Sequence, residues 1–134
     1  MRKLDYFLVS IVTLLCFSLR LYKVNNPIAD WHSYRQADTA AVARNFITDG
    51  YKQLLPQSDS FLTLSEHQTP NPHRYFINEF PLYNSIVALV YRFKGVNPFY
   101  ARVVSDIFAS IGAFFLYLIC KKLFDTKIAT VATF

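Results

Sequence analysis

The chain has 134 residues, of which 53% are apolar, 17% aromatic and 17% charged, whereas an average soluble domain is about 25% charged. That length is at most one domain's worth, and the balance is that of a greasy, charge-poor chain. The formal net charge is +5, yet the lysines and arginines fall singly or in pairs, so no basic stripe forms and nucleic acid is not the expected partner.

The first element is the apolar run from Tyr6 to Leu19, preceded by Arg2 and Lys3 and followed by Arg20 and Lys23. The strict run is about 14 residues, short of the roughly 20 that span a bilayer. Arg20 and Lys23 can extend it by snorkelling to the interface. A basic start and an apolar core also open a signal peptide, but "RLYKVNNP" lacks a small-x-small cleavage site. An uncleaved transmembrane helix over about 5–23 is expected.

Residues 24–79 are polar and Pro-containing, with no run long enough to span. Inside this loop Ser33-Tyr34-Arg35-Gln36 has the spacing of a capping box. The Ala-rich stretch after it predicts a helix ending at Gly50, where a left-handed cap belongs. Ala37, Ala41, Val42, Ala43, Phe46 and Ile47 give that helix a broad apolar side. This suits an amphipathic helix lying on a membrane surface; the same pattern suits any packed soluble helix, so the membrane reading comes from the flanking spans.

Further apolar runs predict spans over about 80–94 and 102–120, and a fourth begins at 127 and reaches 134 in mid-pattern. The chain therefore reads as all-α: an N-terminal piece of a larger polytopic membrane protein, with three transmembrane helices and the start of a fourth. The turn "YRFKGVNPFYAR" is short, basic and free of acids, which favours a cytoplasmic position and puts the 24–79 loop on the outer face.

Chemistry-bearing residues cluster around the loop helix. Asp30 and His32 lie just before its N-terminus, where free N–H groups and the dipole favour anions. Arg35 and Asp38 are one turn apart and can pair. Trp31 suits an interfacial anchor. Glu79 and Pro81 stand at the mouth of the second span, with the proline fitted to a first helical turn. Glu66, His67 and His73 match no metal-ligand spacing, so no metal and no cofactor is expected. Cys16 and Cys120 lie in apolar runs and read as small buried hydrophobes. Asp106, near the start of the third span, is expected to snorkel to the interface or to pair with Arg102.

The strings "HSYRQADTA" (His32 to Ala40) and "EFPLY" (Glu79 to Tyr83), with Arg102 to Phe124 less specifically, resemble the start of polytopic membrane glycosyltransferases. The resemblance is to the type C superfold, in its protein O-mannosyltransferase and aminoarabinose-transferase-like group. It implies transfer of a sugar from a polyprenyl-phosphate donor to a lipid, glycan or protein acceptor at the outer face of, in this case, a bacterial inner membrane. It further implies an acidic base in the first outer loop, Asp30 or Asp38, and donor or acceptor contacts from His32, Arg35, Gln36, Arg74 and Glu79. The chain departs from the group in having Asp30-Trp31 where many members carry two adjacent acids. A single carboxylate base acting against a phosphate leaving group implies inversion at the sugar carbon, by analogy with direct displacement in inverting glycosidases.

Two rivals remain at this level. A non-catalytic membrane module needs no acid in the loop. A transporter fragment predicts interrupted helices with polar groups in mid-span.

Overall fold

The computed structural model describes residues 3–28, 33–61, 70–77 and 79–133. Among these are five helices: α1 (Lys3–Arg20), α2 (Ser33–Thr48), α3 (Leu82–Lys94), α4 (Pro98–Leu123) and α5 (Thr126–Thr133). The chain forms two compact units, one of Met1–Val24 with Arg102–Phe134, the other of Asn25–Ala101.

In the first unit α1 and α4 run antiparallel. At one end the buried Asp5 carboxylate meets the Lys121 ammonium at 3.2 Å, and the Thr126 hydroxyl donates to the same carboxylate at 3.3 Å. In the middle Val9, Tyr117 and Ala129 form a buried cluster, with Cys120 packed against it. At the far end Arg102 Nη1 donates to the Val24 carbonyl at 2.8 Å. α5 turns back along α1, where the Cys16 thiol donates to the Thr133 carbonyl at 3.5 Å. Both cysteines are free and half-buried, less enclosed than their apolar surroundings in sequence suggested. Asp106 is buried, while the Arg102 guanidinium donates to the Val24 carbonyl.

Among the described residues α4 is the one helix long and apolar enough to cross a membrane; its 26 residues rise about 39 Å. Its apolar side chains are mostly uncovered: Ile107, Phe108, Ile111, Phe115 and Ile119 are each close to half exposed. A core helix of a water-soluble domain would be covered. Several hydroxyls in this unit are satisfied within their own helices, while the buried Thr13 and Tyr117 hydroxyls have no partner among the described residues. Ser10, Ser110, Thr130 and Thr133 each donate to the carbonyl four residues back, which removes the penalty of holding them in an apolar medium.

The structure shows no spanning helix over 80–94. α3 has 13 residues and rises about 20 Å, against a hydrocarbon core of about 30 Å. Within the first unit α1 and α4 are antiparallel, with Val24 and Arg102 at the same end. α1 has 18 residues, enough for about 27 Å, but it includes Lys3, Asp5 and Arg20.

The second unit is built on α2 against α3. α2 begins at Ser33, where the capping box placed it, and ends before Gly50, whose φ of 91° is the left-handed conformation that stops a helix. Pro81 sits just ahead of α3 rather than inside its first turn, and its carbonyl accepts from the Ser85 amide at 2.9 Å and the Ser85 hydroxyl at 2.7 Å. Ala41, Val42, Ala43 and Phe46 of α2 are buried, as are Val87, Ala88 and Tyr91 of α3. Most of the apolar side of α2 is thus taken up by packing, while Ala37 and Ile47 stay exposed. Asn84, 1% exposed, bridges the two helices by donating to the Thr39 carbonyl at 2.9 Å. Asn84→Leu removes this buried donor and is expected to cost about 1–3 kcal/mol, read as a lower unfolding temperature of the full chain in detergent. An unchanged transition would show that the bond adds nothing.

Candidate functional site

The polar side of the second unit gathers residues from three segments. After α2 the chain passes through Pro56-Gln57-Ser58-Asp59, which lies antiparallel to Arg74-Tyr75-Phe76. A bridge joins Gln57 and Tyr75, the Ser58 amide donates to the Arg74 carbonyl at 2.9 Å, and the Phe76 amide donates to the Pro56 carbonyl at 2.8 Å. The buried Asn71 side chain clamps the return strand, accepting from the Tyr75 amide at 2.8 Å and donating to the Tyr75 carbonyl at 2.9 Å. Arg74 takes a left-handed backbone, φ 58°, which few non-glycine residues adopt without support.

This strap delivers Asp59 and Arg74 to the last turns of α2. Arg44 donates to the Asp59 carboxylate. Asn45 Nδ2 reaches the Gln57 carbonyl at 3.0 Å and Asp59 Oδ1 at 3.2 Å. Arg74 stands 3.3 Å from Asp49 and 4.0 Å from Asp59. Hydrogen bonding from Arg44 holds the Asp59 carboxyl below the ordinary carboxylate range, helped by Asn45 and the charges of Arg44 and Arg74, against the opposing pull of burial.

Asp38 behaves in the opposite way. It sits on α2, half-buried, and burial first, then the negative charge of Asp59, raises its carboxyl above the ordinary range. No ion pair joins it to a cation among the described residues. A carboxylate raised in this way is a stronger base toward a hydroxyl and still ionises reversibly, the property wanted of a proton acceptor.

One turn earlier on α2, Arg35 Nη2 donates to Glu79 Oε2 at 2.9 Å. The pairing expected between Arg35 and Asp38 is replaced by this longer-range one. Both partners are well exposed, 69% and 43%, so the pair is worth at most about 1 kcal/mol of stability. Gln36 is half-buried beside it, and its carbonyl accepts from the Thr39 hydroxyl at 3.2 Å.

Of the residues singled out in the sequence, Arg35 and Glu79 come together directly, Gln36 and Asp38 share their helix, and Arg74 joins through Asp59. Asp30, Trp31 and His32, with Glu66 and His67, lie outside the described residues. His73 is exposed, with its ring 5.4 Å from that of Tyr75. Sequence reasoning missed Asp59, Arg44, Asn45 and Asp49. Arg44 carried a signal, a cation set between the apolar Val42, Ala43 and Phe46, a placement that calls for an acidic partner. Nothing in the sequence marks Asp59 as that partner. Comparison of the chain with protein-family models, with curated proteins and with solved structures finds no match.

Proposed function

We propose that this chain belongs to a polytopic membrane glycosyltransferase of the type C superfold, which moves a sugar from a polyprenyl-phosphate donor to a lipid, glycan or protein acceptor, with inversion. The observation that carries the reading is the Arg35–Glu79 pair. The two most specific strings of the resemblance, 44 residues apart, close on each other through their charged side chains, although an exposed pair adds little stability. In this reading Asp38 or Asp30 takes the acceptor proton. Arg35 and Arg74 stabilise charge on the departing phosphate, and Glu79, Gln36 and His32 orient the reactants.

In this reading the short segment holding Lys121, Lys122 and Lys127 against Asp125 is a basic short connection of the kind that favours the cytoplasm, and residues 25–101 lie on the outer face of a bacterial inner membrane.

The test supplies the larger polytopic protein of this reading, since the helices of this chain alone do not enclose a polyprenyl phosphate, in its native membrane with radiolabelled polyprenyl-phosphate sugars. Transfer is expected, and Arg35→Ala should lower kcat/KM by about 10²-fold, the loss typical of one donor to a developing anion. Absence of transfer beyond that of membranes lacking the protein would overturn the reading. The mutual neutralisation of Arg44, Arg74, Asp49 and Asp59 favours a second reading, a non-catalytic membrane module, for which Arg35→Ala would leave the cellular phenotype intact.

A further inference from the structure

α3 has two apolar faces and α2 covers only one. Asn84, Val87, Ala88 and Tyr91 are buried. On the opposite side Leu82, Ile86, Leu89 and Phe93 follow one another at spacings of four, three and four, a single stripe along the helix. Leu82 and Leu89 are each 58% exposed and Phe93 77%. Phe80 and Val96, also exposed, extend the apolar surface beyond both ends. Such a surface on a solvated loop domain is unfavourable unless something covers it.

Three further observations identify the cover. The last turn of α3 carries Arg92 and Lys94, and α3 contains no acid. Only Gly95, Val96 and Asn97 separate it from α4, the helix long enough to cross a membrane. That junction is built rather than loose: the Gly95 amide donates to the Tyr91 carbonyl at 2.8 Å, and Asn97 Oδ1 accepts from the Phe99 amide at 2.9 Å, capping α4 with Pro98 in its first position. The stripe is therefore tethered within a few residues of the place where the chain enters the bilayer.

We infer that α3 is an interfacial helix that lays Leu82, Ile86, Leu89 and Phe93 into the acyl-chain boundary of one leaflet, with Arg92 and Lys94 on anionic lipid headgroups. The stripe is about 17 Å long, too short to cross the membrane and suited to lie along its surface. The occupant is lipid and not a protein, because the apolar stripe ends in two cations with no acid on the same helix and runs on, through three residues, into the helix long and apolar enough to cross a membrane. The inference depends on α4 crossing the membrane and is independent of sugar transfer.

The experiment uses the full chain with Trp31→Phe, reconstituted in vesicles of phosphatidylcholine and phosphatidylglycerol. Single tryptophans are introduced as Leu82→Trp, Leu89→Trp and Phe93→Trp, with Phe115→Trp in α4 as the depth reference. Because these side chains are exposed, the larger ring does not disturb packing. Bromines near the headgroup end of the acyl chains are expected to quench all three α3 positions about twofold more than bromines near the chain ends. Phe115→Trp should show the reverse preference. Adding Arg92→Glu with Lys94→Glu should reduce the quenching of Phe93→Trp. Quenching that deepens and then shallows from Leu82 to Phe93 would mean a crossing helix and overturn the inference. So would the absence of quenching at all three positions, which would mean a face covered by protein or left in water. Failure of Phe115→Trp to respond to deep bromines would remove α4 from the bilayer and the inference with it, without bearing on transfer chemistry.

Discussion

Asp38→Asn in the protein in its own membrane is expected to lower sugar transfer by about 10²- to 10⁴-fold, the contribution of a positioned general base, while leaving the helical content unchanged. The substitution keeps the shape of the side chain and removes only its capacity to accept a proton. The acid limb of kcat/KM offers a second readout. Burial and Asp59 raise the Asp38 carboxyl, so activity should fall, as pH is lowered, at a value above the ordinary carboxylate range. Asp59→Asn removes the neighbouring negative charge and frees Arg44 and Arg74 to act on Asp38. Both effects lower its proton affinity, and the limb should move to lower pH. If Asp30→Asn abolishes transfer while Asp38→Asn retains most of it, the base is Asp30 and Asp38 only shapes the site.

The two aspartates also leave opposite marks on stability. The Asp38 value is raised on folding, so the stability it contributes is present when it is protonated, below the ordinary aspartate range, and is lost as pH rises through its raised value. The Asp59 value is lowered, so its contribution is present above the ordinary range and is lost as pH falls through the lowered value.

The second large effect concerns the buried pair in the first unit. Asp5 is 2% exposed, and its carboxylate is 3.2 Å from Lys121, whose side chain is 21% exposed. Lys121→Met leaves that carboxylate buried without its cation and is expected to cost about 3 kcal/mol, the lower end of the range for breaking a buried pair because Lys121 is partly open. Adding Asp5→Leu removes the stranded charge and should return most of the loss, since a buried pair and an apolar pair of similar volume are near equivalent. Unfolding in mixed detergent and SDS micelles measures both. A Lys121→Met protein as stable as the parent would show that the pair holds nothing together.

Sequence and structure agree where local chemistry decides. The Ser33 start and Gly50 stop of α2 are written in capping residues, and the length and composition of α4 identify it without further help. They part where a residue's neighbour decides. The apolar run at 80–94 contains two faces, one against α2 and one uncovered, and composition alone reads both as a lipid-facing span. For the same reason α2, with its broad apolar side, looked interfacial when most of that side is buried on α3. The strap that brings Asp59 to Arg44 depends on an asparagine, Asn71, bonding backbone groups four residues away. Such contacts leave no periodic trace. The Arg35–Glu79 pair was legible only as two separate strings.

The antiparallel pairing of α1 and α4 also sets an order of events during synthesis. Lys121 leaves the ribosome long after Asp5, with the whole of residues 25–101 made in between. Until then the Asp5 carboxylate lacks the ammonium that meets it in the folded chain. The contact that ties the two ends of the first unit together is thus made only after the entire second unit has been synthesised.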